Sequence, residues 1–248
     1  MSSIPAHLLI ALELDALRYE PTLENLHAVI EQEIAASATR IEDASSRVDT
    51  WFLEAEIDDE CDHVEELLGL AFVAAQSFVT KVKSSITRMS EISVKEIGKR
   101  LSFATRHEDI LKKADPMKNA PQYSEIEVIN AVANYWKHRE QWSTIIEQND
   151  EYGKRVWDVS NKQNNVKRTI EIVMSIGMSP GSTGNLRTAY EAFCPDRSYQ
   201  DLSPIRAKLR SWVQSLHEIA KVQMTDLASR NTAKGDEEEP SNADSSRP

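Results

Sequence analysis

The chain has 248 residues, about 40% of them hydrophobic, with a formal net charge of −11 and only seven Gly and nine Pro. That length and apolar content suffice for a buried core, and so few helix breakers argue for long helices rather than a β-rich or low-complexity chain. The acidic balance makes the protein a poor generic polyanion binder, because attraction to phosphate needs basic surface.

The first predicted helix runs from Pro5 to Tyr19 and stops at Pro21. Its residues lack a basic leader and carry Glu13 and Asp15 inside the apolar stretch, so no signal peptide is expected. A second helix is predicted from Thr22 to Ser46. The longest pattern follows: Val64, Leu68, Phe72, Ala75, Val79, Val82, Ile86 and Met89 recur at three- or four-residue steps, with Leu67, Ala71 and Phe78 widening the stripe. That is one face of a long amphipathic helix, Glu54 to Met89. Its most apolar run, Leu67 to Ala75, is nine residues, whereas a membrane-spanning helix needs roughly 20. No span is expected.

A shorter helix is predicted from Ser93 to Ala104, and Asp115 to Gln122, with two prolines, reads as a connection. Ser124 and Glu127 form a capping-box pair that opens a helix from Glu125 to Ile145. Gly153 to Ser160 reads as a further helix, and Asn164 to Ile176 as another, closed at Gly177 by a left-handed cap. After the loop Met178 to Asn185, Asn185 is placed to cap a short helix to Phe193, and Ser203 with Pro204 opens the last, to Ala228. The fold class expected is all-α. Residues 1–228 form one multi-helix bundle around the long central helix, which packs on Glu125–Ile145. Residues 229–248, rich in Ser, Asp, Glu and Pro without apolar periodicity, are expected to be disordered.

Charge is unevenly spread. Residues 42–66 hold eleven carboxylates against one Arg, a local −10, while residues 81–118 hold ten cations against five acids. These read as solvated faces of opposite sign; the basic one could dock RNA or the acidic surface of a second copy. Cys61 and Cys194 make no disulfide framework, which points to a reducing, cytoplasmic setting. Cys61, with acidic neighbours, is a poor nucleophile.

The segment Ser124–Trp142 carries the most information. Ile126, Ile129, Val132, Ala133 and Trp136 share one helix face, broadened by Val128, Tyr135 and Trp142. The opposite arc holds Glu127, Asn130, Asn134, Lys137, His138 and Gln141, with Asn130, Asn134 and His138 stacked in one column. Arg139 projects from the apolar face and needs a carboxylate partner, for which the acids of Glu54–Glu60 are candidates. The run from Asn134 through Lys137 and His138 to Arg139 resembles the signature helix of the HEPN group, small helical proteins of bacterial toxin–antitoxin and phage-defence systems. The family motif is an Arg, a polar residue and a following His, and active members are metal-independent ribonucleases with the motif at a dimer interface.

Counting back from His138, the Arg-x4-His spacing lands on Ala133, with Asn134 in the customary polar position. The resemblance implies a helical accessory or effector protein, without cofactor or metal, acting on RNA or a partner protein as a homodimer. In a cleaving member His138 would be the general acid/base, Asn134 would orient it, and Lys137 or Arg139 would stabilise the phosphate charge. Arg100 and His107 have the motif's spacing too, across two short elements divided near Ala104.

Two further readings stand beside this one. The first is a non-catalytic helical protein-interaction module. The second rests on Glu24/His27 and Glu60/His63, two Glu-x-x-His pairs of the kind that dinuclear carboxylate oxidases use, with Glu33, Glu108 and Glu127 as candidates for the remaining ligands. Met178–Asn185 lacks the Lys of a nucleotide-phosphate loop, and neither a Gly-x-Ser-x-Gly elbow nor a His-Glu-x-x-His motif occurs. The five tryptophans are spread over several helices, as core anchors would be.

Overall fold

The apolar stripe of residues 64–89 is buried along its whole length, and it forms the spine of the molecule. The computed structural model describes residues 6–47, 52–139, 147–149, 155–157, 164–179, 182–195 and 198–235. Helix α1 (Ala6–Ser45) and helix α2 (Leu53–Ile97) form an antiparallel hairpin. Arg47 meets Glu56, Arg40 meets Glu60, and His27 meets Ala71, a register that runs backwards along α2. From Arg18 onward the buried residues of α1 are Leu23, His27, Ile30, Ile34, Ser37 and Ala44, spaced by fours and threes and then a seven, as in a coiled-coil seam.

Short α3 (His107–Leu111) and the hairpin of β1 (Pro116–Met117) with β2 (Ala120–Ser124) lead into α4 (Glu125–Lys137). A second two-stranded hairpin pairs β3 (Glu147–Asn149) with β4 (Arg155–Trp157). Helices α5 (Asn164–Ser175), α6 (Asn185–Phe193) and α7 (Ser203–Gly235) complete the bundle. The protein is therefore all-α, and α4 packs on α2, α5, α6 and α7 around one core. Trp212 of α7 is buried there and donates its indole N–H to the carbonyl of Ile110 at 3.0 Å. Among the described residues no helix is long and apolar enough to cross a membrane.

Several boundaries differ from the sequence expectation. Helix α1 continues through Pro21. A proline inside a helix removes one backbone bond and costs about 3 kcal/mol, but α1 has core contacts on both sides of it. Tyr19 packs against the core with the Lys81 ammonium 5.5 Å from its ring centre, and Leu23 is buried beyond. Helix α2 runs past Met89 to Ile97, where Gly98, at φ 76°, donates its N–H to the carbonyl of Val94. Of the separate helix expected from Ser93 to Ala104, Ser93–Ile97 is the end of α2 and Ser102–Ala104 is a 3-10 turn.

The Pro-containing connection is the β1–β2 hairpin, and the segment read as a helix from Gly153 contains strand β4. Gly184, at φ 75°, takes the cap position expected of Asn185. The last helix reaches Gly235 rather than Ala228, so the first part of the tail expected to be disordered is helical; residues 236–248 lie outside the described residues. Gly177 does adopt the left-handed conformation read for it, at φ 93°.

Candidate functional site

Helix α4 starts firmly. The Ser124 hydroxyl accepts the Glu127 N–H at 3.1 Å, and the Ser124 N–H donates to Glu127 Oε2 at 3.0 Å, the reciprocal capping box read from the sequence. The helix ends sooner than expected. His138 leaves helical geometry at φ −114° and ψ 18°, and its N–H is shared between the carbonyls of Asn134 and Tyr135. The expected helix to Ile145 is thus interrupted at His138, with Arg139 helical again. Residues 140–146, with Gln141 and Trp142, lie outside the described residues.

The polar arc of α4 is solvated at Lys137 and His138, but its earlier residues are covered by protein. Glu127 is 3% exposed, its Oε1 accepting from Arg168 of α5 at 2.6 Å. Gln76 of α2 donates its Nε2 to Asn130 Oδ1 at 2.9 Å and to Asn134 Oδ1 at 2.8 Å. Because α4 lies between α2 and α5, both its apolar and its polar sides meet protein. Asn130 and Asn134 line a cavity of about 180 Å³ together with Lys83, Asn165 and Arg168. Among the described residues Lys83 has neither ion pair nor hydrogen bond, and burial pushes its ammonium below the ordinary lysine range.

His138, Lys137 and Arg139 come together elsewhere, around an open cleft of about 540 Å³ that also involves Glu66, Leu70 and Trp136. The Arg139 guanidinium lies 3.9 Å from the Trp136 ring centre and 3.4 Å from Glu66. Its carboxylate partner is therefore Glu66, just beyond the acids expected. Trp136 is seated on Gly69: a Cβ there would fall 2.2 Å from the indole, so glycine is the residue that lets the ring lie against α2. Leu70, one position on, is 53% exposed.

The structure thus brings three of the four sequence-predicted site residues together and places Asn134, bonded to Gln76, at the separate cavity. Ala133, where the HEPN motif has its Arg, has no solvent exposure. Arg100 lies outside any helix while His107 opens α3, so that second match spans two elements as expected. The metal-type pairs are otherwise engaged. Glu24 pairs with Arg210 and Glu60 with Arg40, while His27 bonds the Ala71 carbonyl at 3.2 Å. No group of three His, Cys, Asp or Glu suited to a metal ion occurs among the described residues.

The acidic window is likewise partly spent on structure. Glu65 accepts the backbone N–H groups of Leu186 and Arg187, capping α6 from α2. Sequence reasoning missed Lys83, Gln76 and Arg168. Gln76 had one signal, a lone polar residue a turn beyond Phe72 beside the apolar stripe; Arg168 had none. Comparison of the chain with protein-family models, curated proteins and solved structures finds no match.

Proposed function

We propose that the chain is a non-catalytic helical interaction protein that docks a partner protein at the cleft of Trp136, Arg139 and Leu70. The observation that carries this reading is the Arg139–Trp136 stack beside a half-exposed leucine. Trp and Arg are the side chains that most often anchor protein interfaces, particularly next to apolar surface. Two features favour binding over cleavage. The phosphate-holding position of the HEPN-like motif is the buried Ala133, and the Asn134 amide oxygen is already engaged by Gln76. A second copy of the chain is one partner of suitable charge, given its acidic and basic windows.

The test is affinity capture of the tagged full chain from its native cell, with Trp136→Ala and Arg139→Glu beside the wild type. A stoichiometric partner, or a dimer in light scattering, that is lost in both variants supports the reading. The same assembly in both variants, or a wild type that assembles with nothing, overturns it.

A ribonuclease of a defence system is the second reading, favoured because His138, Lys137 and Arg139 border one cleft. His138→Ala should then abolish cleavage of single-stranded RNA while leaving the circular dichroism spectrum intact. Equal cleavage by both proteins ends that reading.

A further inference from the structure

The polar cavity between α2, α4 and α5 lies apart from the cleft, and its chemistry is one-sided. Gln76 occupies the Oδ1 atoms of Asn130 and Asn134, and the Val166 N–H occupies that of Asn165. Each asparagine is left with its two Nδ2 donors. The protein supplies these with no acceptor among the described residues. Lys83 adds three more donors and an unmatched positive charge.

Two carboxylates border the same space. Glu127 has both oxygens engaged, by Arg168 and by the Ser124 N–H. Glu108 sits at the exposed rim, 3.7 Å from Arg168. Arg168 thus meets both carboxylates, and Lys83 is the charged group of the lining that pairs with neither. A cavity rich in free donors, whose carboxylates are both turned to Arg168 and whose lysine has no ion pair among the described residues, suits an oxyanion. At about 180 Å³ it has room for one small group and none for a polymer.

We propose that this cavity binds a phosphate group, as inorganic phosphate or as the phosphate of a small monoester, through Lys83 and the carboxamide donors of Asn130, Asn134 and Asn165. Lys83 neutralises the charge, the asparagines hold the oxygens, and Gln76 sets the orientation of two of them. The site is independent of the docking cleft and stands whether or not that reading survives.

The experiment is isothermal titration of the full chain with inorganic phosphate and, separately, with glycerol 3-phosphate, at pH 7 and constant ionic strength. Saturable one-site binding of either is expected, weakened at least tenfold in Lys83→Met and unchanged in Lys221→Met, at an exposed position of α7. Tighter binding of the monoester assigns the phosphate to an organic ligand, and equal binding assigns it to the free ion. Neither compound binding the wild type overturns the proposal, as does undiminished binding by Lys83→Met. Should Lys83→Met fail to fold, Asn130→Asp, nearly isosteric and placing a negative charge in the cavity, must lose binding in its stead; retained binding is equally fatal.

Discussion

The middle of α4 presents Asn130 and Asn134 to a small polar cavity, whereas its end and the two residues beyond it present Trp136, His138 and Arg139 to an open cleft. In the cavity, hydrogen bonds across three helices fix the side chains, and a buried carboxylate depends on them. At the cleft the side chains are held by stacking on one indole and by one exposed ion pair. Order in the first region is therefore bound up with the stability of the fold. In the second, side chains can be exchanged at little structural cost, as recognition surfaces generally allow.

The sharpest way to break this contrast is Arg168→Ala. It strands Glu127, which is 3% exposed, without its cationic partner. A loss of about 3–4 kcal/mol is expected in urea denaturation. A loss below about 1 kcal/mol would make the cavity as dispensable as an exposed ion pair.

Both regions hang on α2, whose seat on α1 includes a histidine with no solvent exposure. His27 donates Nε2–H to the Ala71 carbonyl, its Nδ1 has no partner among the described residues, and burial lowers its pKa from 6.5 to about 4. The unfolded chain takes up this proton near pH 6.5 and the folded chain only near pH 4. Stability from neutral His27 is thus fully present above pH 6.5 and lost as pH falls toward 4, about 3 kcal/mol in all. Urea midpoints across that window should fall in the wild type and fall less in His27→Leu.

Gly69→Ala tests how far the cleft relies on its seat. Alanine favours helix by about 1 kcal/mol, yet its Cβ would meet the indole at 2.2 Å. A net loss of about 1–2 kcal/mol is expected, with a red shift of tryptophan fluorescence as Trp136 is pushed toward water. The smallest effect belongs to Arg139→Ala. With the side chains of Arg139 and Glu66 48% and 58% exposed, the change should cost less than about 1 kcal/mol of stability while abolishing partner capture.

What was legible in the sequence follows from geometry that repeats. The α2 stripe emerged buried residue for residue because a long helix against a core imposes its period on every turn. The apolar face of α4 was equally readable, with Ile126, Ile129, Val132 and Ala133 all unexposed. Its polar arc is divided: Lys137 and His138 are exposed, as amphipathic reasoning expects, whereas Glu127 is buried where α5 packs on α4. The break at His138 has no local signal, since Lys137-His-Arg139 contains neither Gly nor Pro. The cavity could not be seen at all: Lys83, Asn134 and Arg168 are far apart in the chain, and only packing brings them together.

Gly69 and Trp136 form a notch and the bulk that fills it. Neither residue can vary freely while the other stands, so the pair should drift together through evolution. Where a related chain carries a larger side chain at the notch, a smaller one should replace the indole. Such a coordinated exchange would serve as a fingerprint for finding distant kin whose overall sequences have lost any visible likeness.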